Sequence, residues 1–214
     1  MVRDWRAWHR EYDDPASSLS RRLDVVRSQL RQVLLERPGR TRLVSMCAGD
    51  GRDVLPVLAE TGAEVDAVLV ELDPALGREA TDTAARLGLE RVTVRSDDAG
   101  RTDAYRGAVP ADVLLACGVF GNVTDADMER TVRALPGLLA AGGIVIWTRG
   151  QGVPEDPTAV EGDPSAHVRD VFSRAGFAER AFVRPPDARL RVGVHQLVDP
   201  PSGFQPGVEL FTFV

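Results

Sequence analysis

The chain has 214 residues, enough for one α/β domain with a substantial core, and 43% of them are hydrophobic, as in an ordinary globular protein. All 26 basic residues are arginine against 32 acids, a formal net charge of −6, and no run of five arginines occurs; this balance argues against a nucleic-acid partner. No apolar run reaches the roughly 18 residues a membrane span needs, and the polar residues 1–6 are not followed by the apolar stretch of a secretory leader, so no membrane partner and a cytoplasmic location are expected. Two cysteines, Cys47 and Cys117, are too few for a disulfide framework or a structural zinc site and read as reduced thiols.

Trp5, Trp8, His9 and Tyr12 recur at i, i+3, i+4 and i+7, one face of a helix that Asp14-Pro15 breaks. A second helix starts at Ser17 or Ser18, with Leu19, Leu23, Val26, Leu30, Val33 and Leu34 as its apolar stripe and Pro38-Gly39 as its stop. From residue 41 strands and helices alternate. Strands are predicted over 43–47, 65–71, 92–95, 112–117 and 144–148, with helices over 54–60, 74–87 and 125–139. Buried, β-branched strands between helices imply parallel βαβ units. Residues 150–164 are predicted as a loop and 165–175 as a helix. The segments 178–183, 191–198 and 208–214 have no helix between them, so an antiparallel C-terminal edge is expected.

The chemistry gathers at three successive strand ends. The first strand runs into Cys47-Ala48-Gly49-Asp50-Gly51-Arg52-Asp53, where glycines allow a sharp turn and close approach of backbone to a ligand. The second ends in Glu71-Leu72-Asp73-Pro74; a carboxylate there can accept both hydroxyls of an adenosine ribose. The third leads to Ser96-Asp97-Asp98-Ala99, a second acid at the same sheet edge. Three elements in order are far more specific than one glycine turn.

Over residues 41–183, with the C-terminal strands fitting too, this sequence resembles the class I S-adenosylmethionine-dependent methyltransferases. The resemblance implies a Rossmann-like sheet of seven strands, mostly parallel with an antiparallel C-terminal strand, as domain 41–214. Residues 1–40 would form a lid of two helices within one overall domain. It implies that Cys47, Ala48, Gly49, Asp50, Gly51 and Asp53 cradle the methionine part of S-adenosylmethionine, that Glu71 and Leu72 hold the ribose side, that Asp98 and Ala99 reach the adenine, and that Cys117 and Gly118 close the site. Ala141-Gly142-Gly143 and Gly176-Phe177 echo the family pattern before its fifth and sixth strands. Two positions depart from it: Ser45 replaces the first-strand acid and Cys47 the first loop glycine, so the cofactor's amino group falls to Asp50 or Asp53. Asp53 also reads as a charge favoured by a helix N-terminus.

The implied reaction is methyl transfer to a small-molecule oxygen or nitrogen, leaving S-adenosylhomocysteine, with positioning supplying much of the rate. The acceptor pocket is expected above strands four and five, from residues 117–122 and 149–153. Tyr12 or Trp8 is a candidate to cover the sulfonium through its π face, and His9 and His195 are candidate general bases. The alternative is that the N-terminal aromatics are packing anchors or the contact of a homodimer, and His9 a rim residue. No metal is expected, because no His/Asp/Glu cluster has ligand spacing. Three other protein classes share parts of this pattern. A nicotinamide dehydrogenase wants Gly or Ala where Val54 stands. An aminopropyltransferase of the spermidine-synthase type wants an acid within 116–122, and there is none. A catalytically silent, cofactor-binding domain would share the same glycine loop and Glu71.

Overall fold

The computed structural model describes Tyr12, Asp14 and residues 17–150, 163–184 and 190–214; Trp5, Trp8 and His9 lie outside these residues. Helix α1 spans Ser18–Leu35. The Ser17 hydroxyl accepts the Ser20 N–H at 3.0 Å, satisfying one of the donors every helix start leaves open. The whole predicted stripe from Leu19 to Leu34 is buried. Then follow β1 (Thr41–Met46), α2 (Leu55–Thr61), β2 (Val65–Glu71), α3 (Pro74–Arg86), β3 (Val92–Ser96), β4 (Ala111–Ala116), α4 (Asp125–Ala134), β5 (Leu139–Gly150), α5 (Pro164–Arg174), β6 (Phe177–Val183) and β7 (Leu190–Leu197).

The seven strands form one sheet in the order β3-β2-β1-β4-β5-β7-β6. The first five are parallel, and β7 lies antiparallel between β5 and β6. Alternate side chains feed two cores. Leu43, Leu69, Leu115 and Ile146 pack on the face that carries α1, α2 and α3. Val44, Val70, Leu114 and Trp147 pack on the face that carries α4 and α5. Helix α1 is thus a layer of the domain: Val26, Leu30 and Val33 share a core with Val192 and Val194 of β7. The chain leaves β1 in one direction and β4 in the other, so a crevice opens where their C-terminal ends diverge. Among the described residues no helix is long and apolar enough to cross a membrane.

Three predicted elements differ. The helix expected over 125–139 ends at Ala134 and tightens into a 3-10 turn at Leu135–Gly137, because Pro136 cannot donate to the helical ladder. Strand β5 starts at Leu139 rather than 144; a register shift absorbs the extra residues, with Gly142 at φ 70°. Segment 208–214 is not a strand of the sheet. It makes one isolated bridge, Glu209 with Arg101, and crosses the strand ends, its Leu210 and Val214 N–H groups donating to the carbonyls of Gly100 and Asn122. Leu210 and Phe211 sit in the core under α4, which fixes the segment over the crevice instead of along a sheet edge.

Candidate active site

The loop after β1 is shaped by left-handed backbone. Cys47, Gly49 and Gly51 have φ of 49°, 59° and 76°. Glycine is required at 51 on two counts: a Cβ there would stand 2.7 Å from Leu55 Cδ1 and 3.0 Å from Leu69 Cδ2, and the dihedral is one that side chains disfavour. The Gly51 carbonyl accepts from the Val54 and Leu55 N–H groups, launching α2. The Ala48 N–H donates to Val70 O at 3.0 Å, tying the loop to β2.

Glu71, at the last position of β2, is 9% exposed. Its two oxygens accept from Gly49 N at 2.7 Å and Asp73 N at 2.8 Å, so two loops fix the carboxylate in one orientation. Each oxygen keeps a lone pair for a further donor. Asp73 caps α3, accepting from the Ala75 and Leu76 N–H groups. Asp98, beyond β3, is exposed and accepts from Gly100 N at 2.8 Å. Beneath it the Tyr105 hydroxyl donates to Ala99 O at 2.5 Å; Tyr105 is a buried prop of this loop.

These groups surround a cavity of about 260 Å³. All the residues expected to cradle the ligand line it except Gly51, which lies under the loop. Sequence reasoning missed Arg22, Arg52, Leu76 and Phe213, which also line it. Arg22 comes from α1 and is 4% exposed, and no local motif marks it. Burial raises the Asp53 carboxyl above its usual range, while Arg22, Arg27 and Arg52 pull it back. Tyr12 lies under two guanidiniums, with Arg52 Cζ 4.6 Å and Arg22 Cζ 5.3 Å from the ring centroid. Its π surface therefore already holds cations, which favours a packing wall over the cover of a sulfonium. Burial raises the thiols of Cys47 and Cys117 far out of the thiolate range, so neither is a nucleophile at neutral pH.

A second cavity, of about 280 Å³, adjoins the first and shares Arg22 and Gly118 with it. Its lining includes Leu19, Asn122, Thr148, Arg149 and Leu190. The Gly118 N–H donates to Thr148 Oγ1 at 2.8 Å, bracing the end of β4 against β5. Arg149 Nη2 pairs with Asp125 Oδ1 at 2.8 Å. Its Nη1 is buried and has no hydrogen-bond partner among the described residues.

The histidine expectations fare differently. His9 lies outside the described residues. His195 lines neither cavity and is 1% exposed. Its ring stacks on Phe172 at 4.5 Å, and its Nδ1 accepts from Trp147 Nε1 at 3.0 Å. Burial lowers its pKa to about 4, so it is a neutral packing residue under the sheet and not the base expected of it. His167 pairs with Glu129 on the surface.

A glycine loop after β1, an acid ending β2, an acid after β3 and β7 inserted antiparallel stand together. This is the class I methyltransferase fold. No protein-family model matches the sequence, and no curated protein does. Solved structures do. A possible exported protein from Bordetella parapertussis superposes with a TM-score of 0.64 at 20% identity, over 85% of this chain and 68% of that one. An O-methyltransferase family protein from Burkholderia thailandensis gives 0.68 at 17% identity, over 96% of this chain and 61% of that one. Fibrillarin from Aeropyrum pernix, solved with natively bound S-adenosyl-L-methionine, gives 0.56 at 16% identity, over 73% and 66%.

Proposed function

We propose that the protein binds S-adenosylmethionine in the first cavity and directs methyl transfer to a small-molecule oxygen or nitrogen in the second. One observation carries this reading: along the strand order β3-β2-β1 the first cavity is lined by an acid after β3, Asp98, a fixed carboxylate ending β2, Glu71, and, after β1, Asp53 with Arg22 of opposite charge. That array matches an adenine amino group, a ribose diol and an amino-acid zwitterion in order. In place of the Ser45 that cannot carry charge, Asp53 holds the ammonium and Arg22 the carboxylate. Cys117 and Gly118 line this cavity, and Gly118 also lines the second. The fold shared with a fibrillarin solved with this cofactor adds support.

Bound there, S-adenosylmethionine would supply an already activated methyl group on its sulfonium. The chain's own work is then to hold the donor and acceptor within attack distance and to exclude water. Glu71 and the Gly49 backbone fix the donor, and the walls of the second cavity orient the acceptor. A proton acceptor is needed only for an acceptor atom that keeps its proton at working pH.

Calorimetric titration tests this. S-adenosylmethionine and S-adenosylhomocysteine are expected to bind, decarboxylated S-adenosylmethionine at least about tenfold more weakly for want of a partner to Arg22. Preference for the decarboxylated form would turn the reading toward aminopropyl transfer. Binding of NAD instead would overturn it.

A further inference from the structure

The second cavity specifies what kind of molecule it takes. Among the described residues its lining holds two arginines, Arg22 and Arg149, and no carboxylate, in a chain of net charge −6. Arg149 is the more informative. It stands at the end of β5, its side chain is 13% exposed, and Asp125 occupies only one of its terminal nitrogens. The other, Nη1, is buried without a partner among the described residues, in a side chain that lines the cavity. A desolvated guanidinium donor with nothing to receive it is costly, and the cost is relieved by a ligand anion. The planar fork of arginine suits a carboxylate, which can take two N–H groups at once. Around this cation the walls are apolar or neutral: Leu19 from α1, Leu190 from β7, and the Gly121 and Gly150 backbone. The cavity holds a small molecule with an apolar body and one anionic end.

We infer that the acceptor is a small organic acid whose carboxylate docks on Arg149 and whose apolar body lies between Leu19 and Leu190, with its opposite end toward Gly118 and the first cavity. This rests on the methyltransferase reading for the word acceptor, though the carboxylate site itself stands on the cavity. Cofactor-side binding is left to Arg22 and Asp53, so the two arginines divide the work.

The test uses three matched pairs as probes: benzoate with benzamide, cinnamate with cinnamamide, and hexanoate with hexanamide. Each is titrated into the full chain saturated with S-adenosylhomocysteine and followed by saturation-transfer NMR. Each carboxylate is expected to bind at least tenfold tighter than its amide, and Arg149→Gln is expected to erase the difference while leaving S-adenosylhomocysteine affinity within twofold. Carboxylates that bind no better than amides, or a preference that survives Arg149→Gln, would overturn the inference. Asp125→Asn guards against a variant that fails to fold, because Asp125 is 63% exposed and only neutralises part of Arg149. Its loss is expected to tighten carboxylate binding two- to threefold, and weaker or unchanged binding would count against the site. If S-adenosylhomocysteine does not bind at all, the methyltransferase reading fails; the same pairs titrated into the unliganded chain still decide the carboxylate site.

Discussion

The two halves of the crevice are built on different plans. On the β1–β3 side the acids that follow β2 and β3 are fixed by backbone close by: Glu71 by the Gly49 and Asp73 amides, Asp98 by the Gly100 amide, and the loop itself by three left-handed residues. On the β4–β5 side the charged groups are the ends of long side chains brought from far apart, Arg22 on α1 and Arg149 on β5, in a cavity that Leu190 of β7 also lines. A preorganised site loses little entropy on binding, which suits a ligand that never changes. A site of long side chains is retuned by one substitution. On the proposed function, the contrast suits a constant donor on one side and a variable acceptor on the other.

The largest test of this contrast sets two glycines side by side. Gly51→Ala forces a Cβ to 2.7 Å from Leu55 at a φ of 76°, so about 2–4 kcal/mol of stability should go through strain and overpacking. That corresponds to a fall of roughly 5–15 °C in melting temperature for a chain of this size. Gly121→Ala in the other half meets only Gly150 N at 3.6 Å and should cost under about 0.5 kcal/mol. Equal losses in thermal unfolding would show that the first half is no more rigidly specified than the second.

Glu71→Ala comes next. Losing charge-assisted hydrogen bonds to the ribose should cost roughly 1.5–3 kcal/mol, about 10–150-fold in S-adenosylhomocysteine affinity by calorimetry. Unchanged affinity would mean that the carboxylate only braces the Gly49 and Asp73 amides.

The same contrast decides what was legible in the sequence. The glycine loop, Glu71 and Asp98 were readable because each follows its strand within a few residues, so strand prediction alone places them at one sheet edge. The parallel βαβ units followed from alternation of elements, and the seven strands with an antiparallel last one from the resemblance to the methyltransferases. Arg22 was not readable: it is a polar residue one position from Leu23 in an apolar stripe, and only the packing of α1 against the sheet brings it to the crevice. His195 was misjudged for a related reason. Its alternation with Val192 and Val194 fits a base on a strand or a packed residue equally, and the deciding neighbours, Trp147 and Phe172, come from other elements. Segment 208–214 has the composition of a strand, but both sheet edges lie away from it.

His195 marks where the acceptor half ends, and pH checks that boundary. Folded, the imidazole stays neutral down to about pH 4, against 6.5 for an exposed histidine. Glu179, 3.7 Å away, raises its pKa, Arg169 lowers it, and burial outweighs both. Between those values the unfolded chain binds more protons, so this contribution to stability is complete above pH 6.5 and is lost as pH falls toward 4. By pH 5 about 2 kcal/mol should be gone. Chemical denaturation of wild type and His195→Gln at pH 7.5 and pH 5 should show that loss in the difference between them. A difference that does not change with pH would place the imidazole in contact with water and reopen its candidacy as a base.

The smallest effect concerns Phe213, the one aromatic wall that segment 208–214 adds to the first cavity. It is 42% exposed and tilts against Phe211, which anchors the segment in the core. Phe213→Ala should remove contact with the bound cofactor while leaving Phe211 and the fold in place. The lost apolar burial is worth about 0.5–1 kcal/mol, a two- to fivefold weakening of S-adenosylhomocysteine binding. Carboxylate binding in the second cavity should not change, because Phe213 does not line it. A weakening confined to the acceptor would instead show that the C-terminal segment closes the variable half, and the division between a backbone-fixed and a side-chain-built half would have to be redrawn around it.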